Sequence, residues 1–406
     1  MMTEVFFRTI LHYCHRVVVY ALKLISLCFP KDDNLILFSS WFGMKYADNS
    51  MYLYEYMLNH SSYRVIWFTR DKIVYNNLIK NRKAVVYSKS FKAIFYHLRA
   101  KTFISTVQFF DFISPLMSNC VLLDLDHGFP AKYVHFVSPT ITKREIEYEY
   151  ILRKWVSYYM TASSKFTMEV VSKCFALPPD RLIFCNKPRI DVFYNQELRK
   201  GNNQIIDEIK ENKYKAIVWM PTQRSQGQTV IDANILLDLN EIQSICEEIG
   251  AVFIIKKHFY HRNETTNLTG YNRIYDLTKE NLEIQTLLYQ ADVLISDYSS
   301  CYIEYLTMNR PVILYVYDLD DYLINERGVC VKMEDNHVGY KVKTKEDLNS
   351  KLRIIGEDWS DSFNQEGRNE ALERYFDKKV EMGSSCKRLT ELLPAIIDGS
   401  YKTQWN

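Results

Sequence analysis

The sequence predicts an α/β chain of two doubly wound parallel-sheet domains. Three observations carry this expectation. Short apolar runs recur whose hydrophobicity is continuous, the mark of strands covered on both faces. Helical patterns lie between them, as crossover connections require. At 406 residues the chain exceeds what one core usually organises.

The N-terminal stretch 1–30 reads as a helix. Its longest apolar run, Val17 to Phe29, is interrupted by Lys23 and falls short of the about 20 residues that span a bilayer. No small-residue cleavage site follows, and Pro30 leads into a strand, so the segment is not read as a signal peptide. Glu4, Arg8, His12, Arg16 and Lys23 fall on one helical stripe, with Phe6, Phe7, Ile10, Val17, Leu24 and Leu27 elsewhere around the helix. Such a helix suits the headgroup plane of a membrane with its cations outward, or packs on the protein's own core.

Strands are expected at 34–40 (NLILFSS), 63–69 (YRVIWFT), 84–87 (AVVY), 101–106 (KTFIST) and 121–125 (VLLDL). The polar stretch 195–213 interrupts the pattern and is expected to connect two domains, 31–200 and 213–380. Strands resume at 215–220 (KAIVWM), 251–255 (AVFII), 292–296 (DVLIS) and 311–317 (PVILYVY), with a helical pattern at 236–250; residues 381–406 read as a helical tail. Two such domains are expected to face a cleft.

Composition narrows the function. Hydrophobic residues make up 47% and charged ones 25%, which argues against long disorder. A net charge of +2 with no basic stripe interleaved with aromatics argues against nucleic acid as a partner. Nine scattered cysteines without a CxxC pair suit a reduced intracellular chain, and no carboxylate cluster has metal-ligand spacing. Neither GxGxxG nor a Walker loop occurs, so a dinucleotide or P-loop site has no support.

In open α/β sheets ligands bind beyond the carboxyl ends of the strands. There the sequence places Asp126-His127-Gly128, Thr222-Gln223-Arg224, Lys256-Lys257-His258 and Asp297 with Ser299 and Ser300. Cations and hydroxyls at strand ends suit an anionic, phosphate-bearing substrate. Ser299 and Ser300 precede a helix, where each either caps it or turns its hydroxyl to a phosphate. Asp297 orients a cation or hydroxyl, or is a solvated turn acid; Glu304 accepts from a ribose or lies on an exposed helix face. His127, followed by Gly and Pro that force a turn, suits a general base, with Asp126 or Asp124 fixing its tautomer or simply satisfying the turn. Arg189, in KPRID near the domain junction, adds a cation or an ordinary ion pair.

These residues resemble a known family. ISDYSSCYIEYLTMNRPVILYVYDLDDYLINERG (295–328) is similar to the signature of the CDP-glycerol glycerophosphotransferases, enzymes of teichoic acid and capsule synthesis. WFGMKYADNSMYLYEYML (41–58), LDHGFPAKY (125–133), NKPRID (186–191), WMPTQR (219–224) and KKHF (256–259) match further elements of that family in the same order. The resemblance implies a GT-B architecture of two Rossmann-like domains, the first facing the acceptor and the second holding the CDP-linked donor. It implies His127 as base, His258 and Arg224 stabilising the phosphates, Ser299 and Ser300 on the donor pyrophosphate, and Arg189 and Asp297 in support; Thr222, Lys257 and Glu304 are added to the candidate substrate site on their positions after the strands. Further implications are CDP-glycerol as donor with no additional cofactor or metal, a lipid-linked or polysaccharide acceptor, and peripheral attachment at the cytoplasmic face of the cell membrane. Phe129 and Phe259 depart from the Thr and Pro of the family's pattern and bear on which polyol is used. CDP-ribitol, or a nucleotide sugar in a GT-B glycosyltransferase, are the alternative donors; a non-catalytic scaffold in polysaccharide assembly is the reading outside enzymology.

Overall fold

The computed structural model describes residues 2–138, 141–199, 203–224, 227–258, 261, 264–280, 282–326, 328–359 and 365–403, with backbone alone for 2–12. Phe259, Arg327 and the side chains of Glu4, Phe6, Phe7, Arg8, Ile10 and His12 lie outside the described residues. The chain forms two compact units: unit 1 comprises 1–127, 135–191 and 379–406, and unit 2 comprises 128–134 and 192–378.

In chain order the elements of the first half are α1 (Met2–Leu27), β1 (Asp32–Phe38), α2 (Asp48–His60), β2 (Arg64–Thr69), α3 (Lys72–Lys80), β3 (Val85–Tyr87), α4 (Phe91–Arg99), β4 (Ala100–Ser105), β5 (Cys120–Asp124), α5 (Lys143–Arg153), β6 (Val156–Ala162), α6 (Lys165–Phe175), β7 (Leu182–Phe184) and α7 (Asp191–Tyr194). The sheet of unit 1 has the order β3-β2-β1-β4-β5-β6-β7, every pair parallel. Leu35, Ile36, Leu37 and Phe38 of β1 are all fully buried, which explains why the strand reads as an unbroken apolar run. Helix starts follow local chemistry: Asp71 accepts from the Ile73 and Val74 amides, and Thr142 and Glu145 form a reciprocal capping box.

Unit 2 continues with α8 (Gln204–Glu211), β8 (Lys215–Trp219), α9 (Ala233–Leu236), α10 (Leu239–Glu248), β9 (Ala251–Ile255), β10 (Ile274–Asp276), α11 (Ile284–Gln290), β11 (Val293–Ser296), α12 (Cys301–Tyr305), β12 (Val312–Tyr315), α13 (Leu319–Asn325), β13 (Tyr340–Val342), α14 (Lys345–Glu357) and α15 (Gln365–Tyr375). Its sheet runs β10-β9-β8-β11-β12-β13, again all parallel. In each sheet the strand order reverses beside the first strand, between β1 and β4 and between β8 and β11. That switch is where an open α/β sheet leaves room for a ligand.

Two expectations are corrected, and the expected C-terminal helix is given its place. The stretch 195–213 is no bare connector, because it contains α8, whose Ile206 and Ile209 are buried in unit 2. The C-terminal segment carries α16 (Ser385–Asp398), which is built into unit 1: the Ser385 and Cys386 amides donate to the Asp191 carboxylate at 3.0 and 2.8 Å, and Arg388 Nε donates to Phe184 O at 2.8 Å. Helix α1 turns Arg16 and Lys23, the described Arg and Lys of its stripe, inward. Lys23 is fully buried with Nζ donating to Met117 O at 2.5 Å, burial lowering its ammonium to about 8, and Arg16 pairs with Glu147 at 2.8 Å. The outward face is apolar, with Tyr13, Val17, Val18, Leu24 and Ile25 exposed. Periodicity defines such a stripe without saying which side meets the core, and a backbone carbonyl partner decides it for Lys23. Among the described residues no helix is long and apolar enough to cross a membrane.

Candidate active site

The carboxyl ends of β1, β4 and β5 in unit 1 carry one connected polar group. After β1 the chain enters a tight loop in which Trp41 and Phe42 take left-handed backbone angles (φ 50° and 61°). Gly43 (φ 77°) is required there: a Cβ would meet the Arg70 side chain and Asp111 O at 3.2 Å. The Asp111 carboxylate holds this loop and the one after β4, accepting from the amides of Phe42 (2.6 Å), Thr106 (2.8 Å) and Val107 (2.9 Å).

His127 follows β5 directly. Its Nδ1 lies 3.0 Å from Asp126 Oδ1, and its amide donates to the same oxygen at 2.7 Å. Asp126 is itself left-handed (φ 55°), a conformation held because its amide donates to Asp124 Oδ1 (3.0 Å) and its carbonyl accepts from Asn49 Nδ2 (2.8 Å). Asp124 is buried and also accepts from Tyr158 OH at 3.0 Å. The His127 ring sits 5.2 Å from that of Trp41, and 52% of its side-chain surface remains open. Desolvation opposes protonation of the imidazole, but the charge and hydrogen bond of Asp126, with Asp48 behind it, outweigh that loss and raise it to about 9. Desolvation and the neighbouring Asp126 push Asp124 up to about 7, whereas the imidazolium holds Asp126 below the usual carboxylate range against its own desolvation.

Arg189 joins the same group. Its amide donates to Asn49 Oδ1 at 3.0 Å and its Nη1 pairs with Asp48 Oδ1 at 3.0 Å, while Trp41 Nε1 donates to Asp48 Oδ2 at 3.1 Å. Lys187 bolts the ends of β5 and β6, donating to Leu125 O (2.7 Å) and Thr161 Oγ1 (3.2 Å). Trp41, Asp48 and Asn49 were singled out by no chemical argument from the sequence. The signal available was the WFGMKYADNS element, in which they sit seven and eight residues apart.

In unit 2 the predicted residues also gather at strand ends, where Thr222, Arg224 and Asp297 engage one another and Lys257 and Glu304 are bound to other partners. Arg224 is 5% exposed, and its guanidinium meets two carboxylates: Nη2 reaches Asp297 Oδ2 at 2.9 Å, and Nε and Nη2 reach Asp318 at 2.7 and 3.0 Å. It lies 5.0 Å from the rings of Tyr298 and Tyr322, which stack on each other at 3.7 Å. Desolvation works against its charge, and Asp297 more than restores it. Asp297 is fully used, accepting also from the Thr222 amide (2.9 Å) and the Tyr298 amide (2.6 Å). The Thr222 hydroxyl is buried without a hydrogen-bond partner among the described residues.

Lys257 is buried, donating to Ile231 O (3.1 Å) and Glu264 Oε2 (3.0 Å). Glu304 is buried too and accepts from Gln285 Nε2, so it does not present an open face to a ribose. His258 is half-buried at the end of β9. Ser299 and Ser300, half-buried after β11, are spared from strong capping: Ser299 Oγ accepts from the Cys301 amide at 3.4 Å, and the Ser300 hydroxyl makes no cap hydrogen bond to α12. Asp318, the partner that occupies Arg224, lies 94 residues away in sequence and no local pattern announces it.

The sequence model of the CDP-glycerol:poly(glycerophosphate) glycerophosphotransferase family matches residues 21–394. A teichoic acid poly(glycerol phosphate) polymerase of Bacillus spizizenii is 26% identical over 402 residues, 93% of this chain and 96% of that protein. A teichoic acid glycerol-phosphate transferase of Staphylococcus aureus is 23% identical over 344 residues, 80% of this chain and 85% of its own length. A solved structure of the wall teichoic acid polymerase TagF shares the GT-B-like α/β fold with a TM-score of 0.72 at 21% identity, covering 98% of this chain and 99% of that one. The chain belongs to the CDP-glycerol:poly(glycerophosphate) glycerophosphotransferase family.

Proposed function

We propose that this chain transfers a glycerol-phosphate unit from CDP-glycerol to a hydroxyl of a teichoic- or capsule-type acceptor and releases CMP. Family membership supports the reaction class, and the observation that carries the chemistry is the half-open His127 imidazole held by Asp126 at the end of β5. With Nδ1 held by the carboxylate, Nε2 is the nitrogen left to take the acceptor's proton. The hydroxyl oxygen bonds to the phosphorus that bears glycerol, the bond from that phosphorus to the bridging oxygen breaks, and CMP departs. Asp126 stabilises the imidazolium that forms. The Ser299 and Ser300 hydroxyls and His258 bind the donor diphosphate, and Arg224 acts through Asp297 and Asp318 by holding the loops that carry them. The work is positioning and electrostatic stabilisation, with no covalent enzyme intermediate and no cofactor beyond the donor.

The acceptor is proposed to be lipid-linked, with the protein resting on the cytoplasmic membrane face. The outward apolar side chains of α1 support this part of the reading. A donor panel of CDP-glycerol, CDP-ribitol and UDP-sugars, read by nucleotide release with acceptor present, tests the function. CMP release from CDP-glycerol is expected, reduced roughly 10²-fold or more by His127→Ala. Turnover of a UDP-sugar with none of CDP-glycerol would overturn the proposal, and native turnover in the variant would remove His127 from the base role.

A further inference from the structure

The loop that follows β1 is held more tightly than a surface turn needs. Trp41, Phe42 and Gly43 take left-handed angles in succession, a strained conformation for the two aromatic residues. Arg70 donates from its guanidinium to the Phe42, Phe110 and Phe112 carbonyls and from its amide to Gly43 O at 2.7 Å. The Gly43 carbonyl also accepts from Thr69 Oγ1 at 2.9 Å, and the Asp111 carboxylate holds the Phe42 amide. Phe42 and Met44 are exposed, so the loop borders solvent rather than core. A strained turn over-determined in this way is the pattern of a site shaped in advance of its ligand.

What the loop presents is an indole beside the base. Trp41 Nε1 is fixed to Asp48 Oδ2 and its amide donates to Thr106 Oγ1 at 3.3 Å, so the half-buried ring stands 5.2 Å from that of His127. The chain then brings Lys45 back over the same indole, with Nζ 4.8 Å from the ring centroid. Ammonium and imidazole, each about 5 Å from one ring, are therefore no more than about 10 Å apart.

We infer that Trp41 and Lys45 form an acceptor subsite in unit 1, built for a polyol hydroxyl whose carbon chain leads within a few bonds to a phosphate diester. The hydroxyl meets His127, the carbon chain lies along the indole, and the phosphate takes the Lys45 ammonium. From terminal oxygen to phosphorus a three-carbon polyol phosphate spans roughly 6 Å at about 1.5 Å per bond, and a hydrogen bond of about 2.8 Å at each end covers the rest. An acceptor that ends in a neutral sugar offers the ammonium no anion. The subsite thus favours extending an existing polyol-phosphate chain over starting one. This assignment rests on the reading of His127 as base and names the acceptor class which that reading leaves open.

The test compares two soluble acceptors at saturating CDP-glycerol, a synthetic glycerol phosphate trimer and a polyglycerol of similar length without phosphate. For the native protein kcat/KM should be roughly tenfold or more higher with the phosphate acceptor. Lys45→Met keeps the alkyl stem over the indole without the charge; the ratio should fall towards one through the acceptor KM, and Lys45→Arg should restore it. Trp41→Leu should lower kcat/KM roughly tenfold for both acceptors, and native values there would strike the indole from the subsite. Calorimetric binding of the trimer with no donor present separates this assignment from the donor reading. That binding should weaken roughly tenfold in Lys45→Met. If it does so while CDP-glycerol is turned over with neither acceptor, the function proposed above fails and the subsite stands. A native ratio near one, a native ratio retained in Lys45→Met, or a loss confined to the CDP-glycerol KM would each overturn the subsite.

Discussion

The Asp126 carboxylate sets the working range of His127. An imidazole raised to about 9 is mostly protonated at neutral pH, and only its neutral form accepts a proton, so kcat/KM should rise with pH and level off above about 9. Asp126→Asn removes the charge that raises the group. The midpoint of the rise should then move down towards the ordinary imidazole range near ~6.5, with a lower plateau; an unmoved midpoint would show that Asp126 merely completes the turn. Arg224 makes a contrasting prediction. Its removal strands the buried Asp297, so Arg224→Ala should cost about 3–5 kcal/mol in denaturant unfolding. Arg224→Lys should recover only part, because an ammonium cannot reproduce the fork to two carboxylates. Native stability with a raised donor KM would instead assign the guanidinium to the phosphates. Position after a strand marked these residues in the sequence, but not whether each faces a ligand or a partner, because Asp318 and Glu264 reach them only through the fold.

The anchoring of α4 gives a stability signature. His97 is buried as the neutral ring, Nδ1 donating to Ala93 O at 2.7 Å and Nε2 accepting from the Ile113 amide, and burial lowers it to about 3. The unfolded chain takes up this proton near pH 6.5, so the contribution is complete above that pH and fades as pH falls towards 3. Between pH 7 and pH 5 the native protein should lose about 2 kcal/mol through this group. Denaturant titrations at the two pH values should show a shallower loss in His97→Gln; equal losses would rule the ring out as the cause. Elements of this kind differ in how plainly the sequence announces them. The nine strands expected were apolar runs with few polar interruptions, each of which coincides with an observed strand. Strand β6, whose apolar run Ser157 and Thr161 interrupt, was not expected, nor were β10 and β13, three-residue pieces that each hold a charged residue, nor β7, although its Leu182–Phe184 run is as apolar as the equally short β3. Helix α8 was hidden in a polar composition relieved by only three isoleucines. The stripe on α1 was visible, its inward direction was not.

At the scale of the whole chain, two parallel sheets with the same switch of strand order place the chemistry-bearing residues after β5 in unit 1 and after β8, β9 and β11 in unit 2. This distribution was readable in advance because the rule that ligands sit beyond strand carboxyl ends needs only the strands. The direct test of the central claim is the product balance. Native protein, CDP-glycerol and a hydroxyl-bearing acceptor should yield one acceptor-linked glycerol-phosphate for each CMP, followed by chromatography and mass spectrometry. CMP accompanied by free glycerol phosphate, with the acceptor unmodified, would contradict a transferase and leave His127 serving water instead.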